Sequence, residues 1–349
     1  MITLQQITDP VFTSKTYNSF DKFWLKRIKD ERDLPFVYLT IRITVFMISL
    51  GILLYLPFIQ GWIWWLIAVL YLYFNNFVFK GPFGLMLHCT SHRVWFKKEY
   101  RWANYYLPWF IGPFFGQTPD TYASHHLGMH HRENNLENDL SSTMHYQRDS
   151  ISDFFLYLSN FFFLGVISLA RYFNRLNQKK LRNRVIRGEL AFIILCIGLS
   201  FVNWQATLWV FILPFIISRM IMMMGNWAQH SFIDQKDPGN SYTNSITCIN
   251  TKYNHKCWND GYHISHHIRP NLHWTLHPEH LKSNLKEYQV NKALVFEKLD
   301  FLLVWIYLMR KNYKKLSEHL VNINGMFQTE EEAIDILKSR TAKINIQKS

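Results

Sequence analysis

Apolar positions are gathered into a few long, almost uncharged runs, with polar residues between them. The first two runs, residues 35–56 and 62–79, are separated only by residues 57–61. Each approaches the ~20 residues that a helix needs to cross a ~30 Å hydrocarbon core. One charge, Arg42, lies near the start of the first, from where its side chain reaches the interface. A second pair is centred on residues 190–202 and 207–224 and joined at Asn203, Trp204 and Gln205. Its first member attains spanning length only as 188–204. Arg219 sits near the end of the second member, again within snorkelling reach.

Three further apolar runs compete with these four. Residues 105–116 contain two prolines and are too short to cross, so they read as re-entrant or interfacial backbone. Residues 154–170 are long enough, but they lead into Arg171, Arg175, Lys179, Lys180, Arg182, Arg184 and Arg187. A crossing there would put this basic block opposite the basic N-terminal segment (Lys15, Lys22, Lys26, Arg27, Lys29, Arg32), against the positive-inside rule. Residues 299–309 are flanked by charge and read as an amphipathic interfacial helix. The expected fold is therefore an all-α integral membrane protein with four transmembrane helices in two hairpins and a cytosolic cap. Its parts are a cytosolic N-terminal segment (1–34), a membrane domain (35–280) and a cytosolic or interfacial C-terminal helical segment (281–349). No cleavable signal is expected before the first span, and the charged residues 329–349 are expected to be dispensable for the chemistry.

Composition adds charge and redox context. Lys and Arg outnumber Asp and Glu by 38 to 25, and 49% of the 349 residues are hydrophobic, which excludes a disordered chain. Four cysteines without a C-x-x-C pair fit a reducing, cytosol-facing environment. The basic block suits anionic lipid head groups, an acidic electron donor or a phosphate-bearing carrier, and lacks the motifs of nucleic-acid recognition.

Sixteen histidines change the picture most. They cluster as His88 and His92, as His126, His130 and His131 beside His125, and as His263, His266 and His267. On a helix, i and i+4 share a face, so His88 and His92 present two imidazoles to one centre. His126 and His130 align in the same way, with His131 turned about 100° away toward a second metal. His263, His266 and His267 share a face and bracket two metals. Eight or nine imidazoles exceed the four ligands of one zinc, so two metal ions are the economical reading.

These three groups resemble the histidine boxes of the membrane fatty acid desaturase and hydroxylase superfamily, H-x3/4-H followed by two of the type H-x2/3-H-H. The resemblance spans about residues 36–280. It implies a di-iron site with two iron ions, O2 as co-substrate, and electrons from a separate donor of ferredoxin or cytochrome b5 type. It also implies that His230, four residues after Asn226, is a ninth ligand and that Asn226 contacts the metal through water. His126 rather than His125 is taken as the ligand because it completes the box. The third box begins with His263 rather than the Gln of front-end desaturases, and no fused cytochrome b5 haem motif is present. His145, His255, His273, His277 and His280 match no ligand position and read as supporting or surface residues. Glu133, Asn134, Asp139, Asn259 and Asp260 are candidates to orient the ligating imidazoles, with solvated turns as the alternative.

The expected activity is desaturation of a lipid or acyl-thioester chain in a bacterial inner membrane or the endoplasmic reticulum, with both termini and the active site cytosolic. A hydroxylase with the same site is the enzymatic alternative. A histidine-rich metal transporter or zinc receptor is the alternative from another class. Transport requires polar ligands within the spans, and the apolar runs 35–56, 62–79, 190–202 and 207–224 contain no acidic residue and no histidine. Imidazole also suits zinc and copper, so iron rests on the resemblance as much as on ligand type.

Overall fold

The computed structural model describes residues 1–344. Among these the one sheet is a parallel pair of three-residue strands, Thr247–Ile249 and Val295–Glu297, with Cys248 opposite Phe296. Helices make up most of the rest. Four helical stretches are long and apolar enough to cross a membrane: Glu31–Leu53, Gly61–His92, Ile151–Arg175 and Lys179–Gln229. Their membership differs from the sequence expectation. The runs 188–204 and 207–224 both fall within Lys179–Gln229, while Ile151–Arg175, read from its charges as non-crossing, also has the length and composition of a span.

The chain divides into two compact units, one formed by Thr13–His126 and Leu169–Ile221. In this unit the Trp64 indole donates to the Leu54 carbonyl at 2.9 Å and the Thr40 hydroxyl meets the Met86 sulfur at 3.7 Å. The Gly61–His92 helix thus runs back along Glu31–Leu53. Within Lys179–Gln229, Asn203 leaves the helical region (φ −159°, ψ 100°). Beyond it Arg219 comes to 3.3 Å from Glu189, and Phe215 stacks on Phe192 with ring centroids 5.2 Å apart. Thirty residues of straight helix would separate Glu189 from Arg219 by about 45 Å, so the chain folds back at Asn203 into two antiparallel arms. Arg219, expected to reach the interface, is instead buried, because Glu189 supplies a carboxylate partner beside it. Near the two turns Phe58, Trp62, Trp65 and Trp204 are exposed, the placing of an aromatic belt at a membrane surface.

The proline-interrupted stretch 105–116 coils through short, irregular helical turns. Carbonyls of this stretch and of the arm beyond Asn203 accept from polar side chains of the Gly61–His92 helix. Tyr71 donates to the carbonyls of Phe114 and Val210, Asn75 to Phe114, and Lys80 to Phe115 and Pro214, at 2.8–3.3 Å. Irregular backbone at membrane depth requires such partners, which accounts for an otherwise unexpected Asn and Lys in an apolar helix. Gly188 lets one arm touch this region: a Cβ there would come within 1.7 Å of the Pro119 carbonyl oxygen. Backbone cannot yield as a side chain does, so Gly188→Ala is expected to cost about 3 kcal/mol or more. A lowered melting temperature of the purified protein would register it, and an unchanged one would refute the close approach.

The other unit comprises Met1–Phe12, Leu127–Ser168 and the chain from Met222 on. Its core gathers Phe232, Ile246, Tyr262, Val295, Phe296, Leu320 and Val321 around the small sheet. The helix Phe301–Met309 turns Phe301, Val304 and Leu308 into this core, so a run expected to be interfacial is largely a core element. The N-terminal residues belong here too. Ile2 bridges Val321, and the Asp9 carboxylate accepts from the backbone N–H of Asn250 and from the Tyr262 hydroxyl. Residues 329–344 are also integrated: the helix Glu330–Ser339 buries Ala333 and Leu337, and Arg340 and Thr341 are buried behind it. The last residues of the expected dispensable tail, 345–349, lie outside the described residues.

Candidate metal centre

The first box lies on the same continuous helix as the second apolar run. From Gly61 to His88 is about 40 Å of helix, more than a ~30 Å hydrocarbon core, so the two histidines emerge at its polar end. His88 and His92 face one another with ring centroids 5.1 Å apart. His126 completes a trio, 4.5 Å from His88 and 5.0 Å from His92, and its Nε2 lies 3.0 Å from the Nε2 of His92. Tyr122 stacks flat on His126. Beside this trio is a cavity of about 80 Å³, lined by Leu87, Thr90, Ser91, Trp95, Leu107 and Tyr122 among others.

The other unit holds a tighter set. One ligand atom from each of His130, His230, His263 and His267 lies within 4.8 Å of the others. The Nε2 atoms of His263 and His230 are 3.2 Å apart, and those of His263 and His267 are 3.1 Å apart. His131 and His266 form a pair of their own, Nε2 to Nε2 at 2.9 Å. Regular helix spacing predicts His126 aligned with His130 and His131 turned away. The division found is different: His130 joins the four-imidazole set and His131 faces His266. The reason is local: His126–His130 forms a widened π-type turn, hydrogen-bonded from i to i+5, so the angle between successive side chains departs from that of a regular α-helix.

Hydrogen bonds at the far side of three of these rings, His130, His230 and His267, decide what this convergence means. His230 Nδ1 faces the Asn244 carbonyl at 2.8 Å, an oxygen that can only accept, so Nδ1 carries the proton. His130 Nδ1 donates to the Asp139 carboxylate at 2.7 Å. Asp139 is itself held by the N–H groups of Asn135 and Ser141 and by the Ser141 hydroxyl. His267 Nδ1 donates to Asn134 Oδ1 at 2.9 Å; the amide is oriented by its own Nδ2, which donates to the Gly239 carbonyl. In neutral imidazole one protonated nitrogen leaves the other as a lone pair. Three lone pairs are thereby fixed on one small volume, where they repel one another unless a cation lies between them. The donor set fits a metal ion.

Burial reinforces the neutral form. The His230 imidazole is pushed down to about 4, chiefly by desolvation and next by its neighbour His130, and His267 is pushed well below the usual range for the same leading reason. A folded chain with His230 depressed binds fewer protons than the unfolded chain between pH about 6.5 and about 4. The contribution of His230 to the stability of the metal-free protein is then full above about pH 6.5 and is lost as the pH falls from there through about 4. Thermal denaturation of chelator-treated protein across that window checks it, and a flat melting temperature would contradict it.

The remaining candidates divide clearly. Asn134 and Asp139 hold imidazoles, as the sequence suggested. Asn259 instead donates to the carbonyls of Pro10 and Trp274, and Asp260 accepts from the Tyr253 hydroxyl and the Gln229 amide. Glu133 pairs with Arg132. The Asn226 amide nitrogen donates to the Ser141 carbonyl and the Tyr157 hydroxyl. His277 and His280 both contact the Ser265 hydroxyl from beneath the third box, while His145 and His255 are exposed. Sequence reasoning missed Asn244, whose carbonyl and side chain both face His230, and Thr143, whose hydroxyl donates to the His230 carbonyl at 2.6 Å. No spacing rule flags either.

A family model described as fatty acid desaturase matches residues 63–296, more than half of the chain and all three boxes. The chain belongs to the fatty acid desaturase family. No curated protein and no solved structure gives a match. For a desaturase-family chain, clustered neutral imidazoles with anchored Nδ1 atoms are the expected equipment of a metal centre, and Asp139→Asn is a direct probe of the anchoring. It is expected to weaken metal retention about 10- to 100-fold while leaving the fold intact. Metal analysis after dialysis against a graded chelator series measures this; wild-type retention would dissociate Asp139 from the site.

Proposed function

We propose that this protein is a membrane fatty acid desaturase that introduces a double bond into the alkyl chain of a lipid or acyl thioester. It takes O2 and two electrons from a separate donor protein. The ligands are His88, His92, His126, His130, His131, His230, His263, His266 and His267, holding two iron ions, with Asn226 acting through water. The observation that carries this reading is the set of imidazole lone pairs held on a common centre by Asp139, Asn134 and the Asn244 carbonyl. Bound there, iron supplies the O2-activating redox chemistry that removes two vicinal hydrogens, with O2, two electrons and two protons ending as two waters. The protein keeps the rings neutral, fixes their tautomers and excludes other orientations. An alkyl chain offers no handle for acid-base catalysis, so selectivity comes from where its carbons are held, and the cavity beside His88 and Tyr122 supports an approach on that side.

Parity supports the proposed topology. His130 and His230 lie side by side, ring centroids 5.3 Å apart, so the chain between them crosses the membrane an even number of times. The arms that meet at Asn203 account for two crossings. The helix Ile151–Arg175 then does not cross; it lies along the interface, leaving two hairpins with both termini and the site cytosolic.

Expression in a host that lacks the product, under 18O2, tests the function. The expected product is two hydrogens lighter than its precursor and carries no label. A labelled hydroxyl in the main product would replace desaturation with hydroxylation, and metal flux into sealed vesicles without oxygen consumption would overturn both. At the same site Asn226→Ala is expected to lower turnover while retaining most of the metal, measured on the same preparations.

A further inference from the structure

The turn between the helices Ile151–Arg175 and Lys179–Gln229 carries chemistry that the oxidation site does not use. Residues 171–187 hold seven basic side chains, and no Asp or Glu occurs from residue 154 to residue 188. The turn is anchored from within by Tyr172, Phe173 and Val185, all buried, and Arg182 ties it together by donating to the side-chain oxygens of Asn174 and Asn183. Arg171, Lys179, Lys180 and Arg184 are exposed on this fixed frame, and Arg187, also exposed, pairs with Asp120 at 2.7 Å.

Apolar surface flanks the cations on both sides. Phe163, Leu164 and Ile167 are exposed ahead of Arg171, and Ile186, Leu190, Ile193 and Ile194 are exposed along the following arm. From Arg187 to the exposed Trp204 the arm rises about 26 Å, close to the thickness of a hydrocarbon core. If Trp204 marks one membrane surface, Lys179 to Arg187 lie at head-group depth at the other. We propose that this turn is a binding site for anionic phospholipid head groups, the phosphates held by Lys179, Lys180 and Arg184 while the acyl chains lie along Ile186, Leu190 and Ile193. Continuity of the cations with exposed apolar side chains of a crossing arm sets them at head-group depth, where the phosphates of anionic lipids lie beside them; this favours lipid over an acidic soluble protein.

Native mass spectrometry of the full-length protein in detergent, titrated with phosphatidylglycerol or phosphatidylcholine, tests the proposal. Wild type is expected to retain phosphatidylglycerol preferentially. Each basic residue at such a surface contributes a factor of roughly five, so Lys179→Gln with Lys180→Gln and Arg184→Gln should lower that retention about 100-fold and leave phosphatidylcholine unchanged. Charge-preserving Lys179→Arg with Lys180→Arg should keep it, and the exposed pair Lys282→Gln with Lys286→Gln should not alter it. Equal retention of the two lipids by wild type would overturn the proposal, as would an equal loss in the Lys282 and Lys286 control. So would a triple variant that binds phosphatidylglycerol normally but no longer accepts electrons from an acidic carrier protein.

Discussion

Replacing His230 with alanine is expected to abolish turnover and to lower the metal content of the purified protein by half or more. His230 is fully buried, its Nδ1 is fixed by Asn244, and its Nε2 stands 3.2 Å from that of His263. Alanine removes one of the four converging nitrogens, and the cavity it leaves gains no replacement donor from the apolar side of the helix that carries Trp227 and Ala228. His266→Ala, which removes the partner of His131, is expected to have the same consequence. His145→Ala and His255→Ala, both at exposed positions, should retain metal and activity. The measurement is metal per chain together with product formation. Full metal content and activity in the His230 variant would refute its place among the ligands, and equal losses in the two exposed variants would show that histidine replacement acts through stability rather than coordination.

The ease with which these residues are found in the sequence depends on whether their partners are local. The boxes repeat within five to seven residues, a distance over which helix geometry governs which rings meet, so spacing alone points to His88 with His92 and to His263 with His267. Where the helix departs from regular pitch, as at His126–His130, the same rule assigns the wrong face. His230 lacks a second histidine nearby and enters only through the resemblance, while Asn244 reaches it across a loop of irregular backbone. The apolar runs likewise give the long helices but not their roles. Residues 154–170 have the length and composition of a span, and it is the basic block that follows them, together with the adjacency of His130 and His230, that argues against a crossing. Residues 299–309 and 329–344 looked peripheral because charge flanks them. They are core elements: Phe301, Val304, Leu308, Ala333 and Leu337 share one buried cluster, Trp305 meets Phe154, and Ile344 packs with Met144 and Ile233, partners more than a hundred residues away in sequence.

The largest effect expected away from the histidines is at Arg148, a residue with no pattern around it. Its guanidinium is fully buried and donates to six main-chain carbonyls, those of Thr143, Met144, Tyr146, Ser231, Arg340 and Ala342, at 2.6–3.3 Å. Burial pulls the group down to about 9, so it remains a cation at neutral pH and the carbonyls answer its charge. Three of these acceptors also receive backbone N–H groups, from Tyr146, Ile233 and Ile344. The carbonyls of Ser231, Tyr146 and Ala342 depend on Arg148 more heavily. Arg148→Met fills most of the volume yet leaves those oxygens buried with fewer donors, at a cost of about 3–5 kcal/mol. For a unit of this size that corresponds to a melting temperature lower by roughly 10 °C. The clasp joins the segment after the second box to the residue after His230 and to the chain at 340–342, and Thr143 on the same segment donates to the His230 carbonyl. Ending the chain after Ser339 removes two of the six acceptors and should therefore destabilise the protein by a similar mechanism. Because both changes open one clasp, their combination is expected to cost clearly less than the sum of the two. Thermal unfolding of the two variants and the double variant measures this coupling; strictly additive losses, or a truncated protein as stable as the full chain, would show that the C-terminal segment does not hold Arg148 in place.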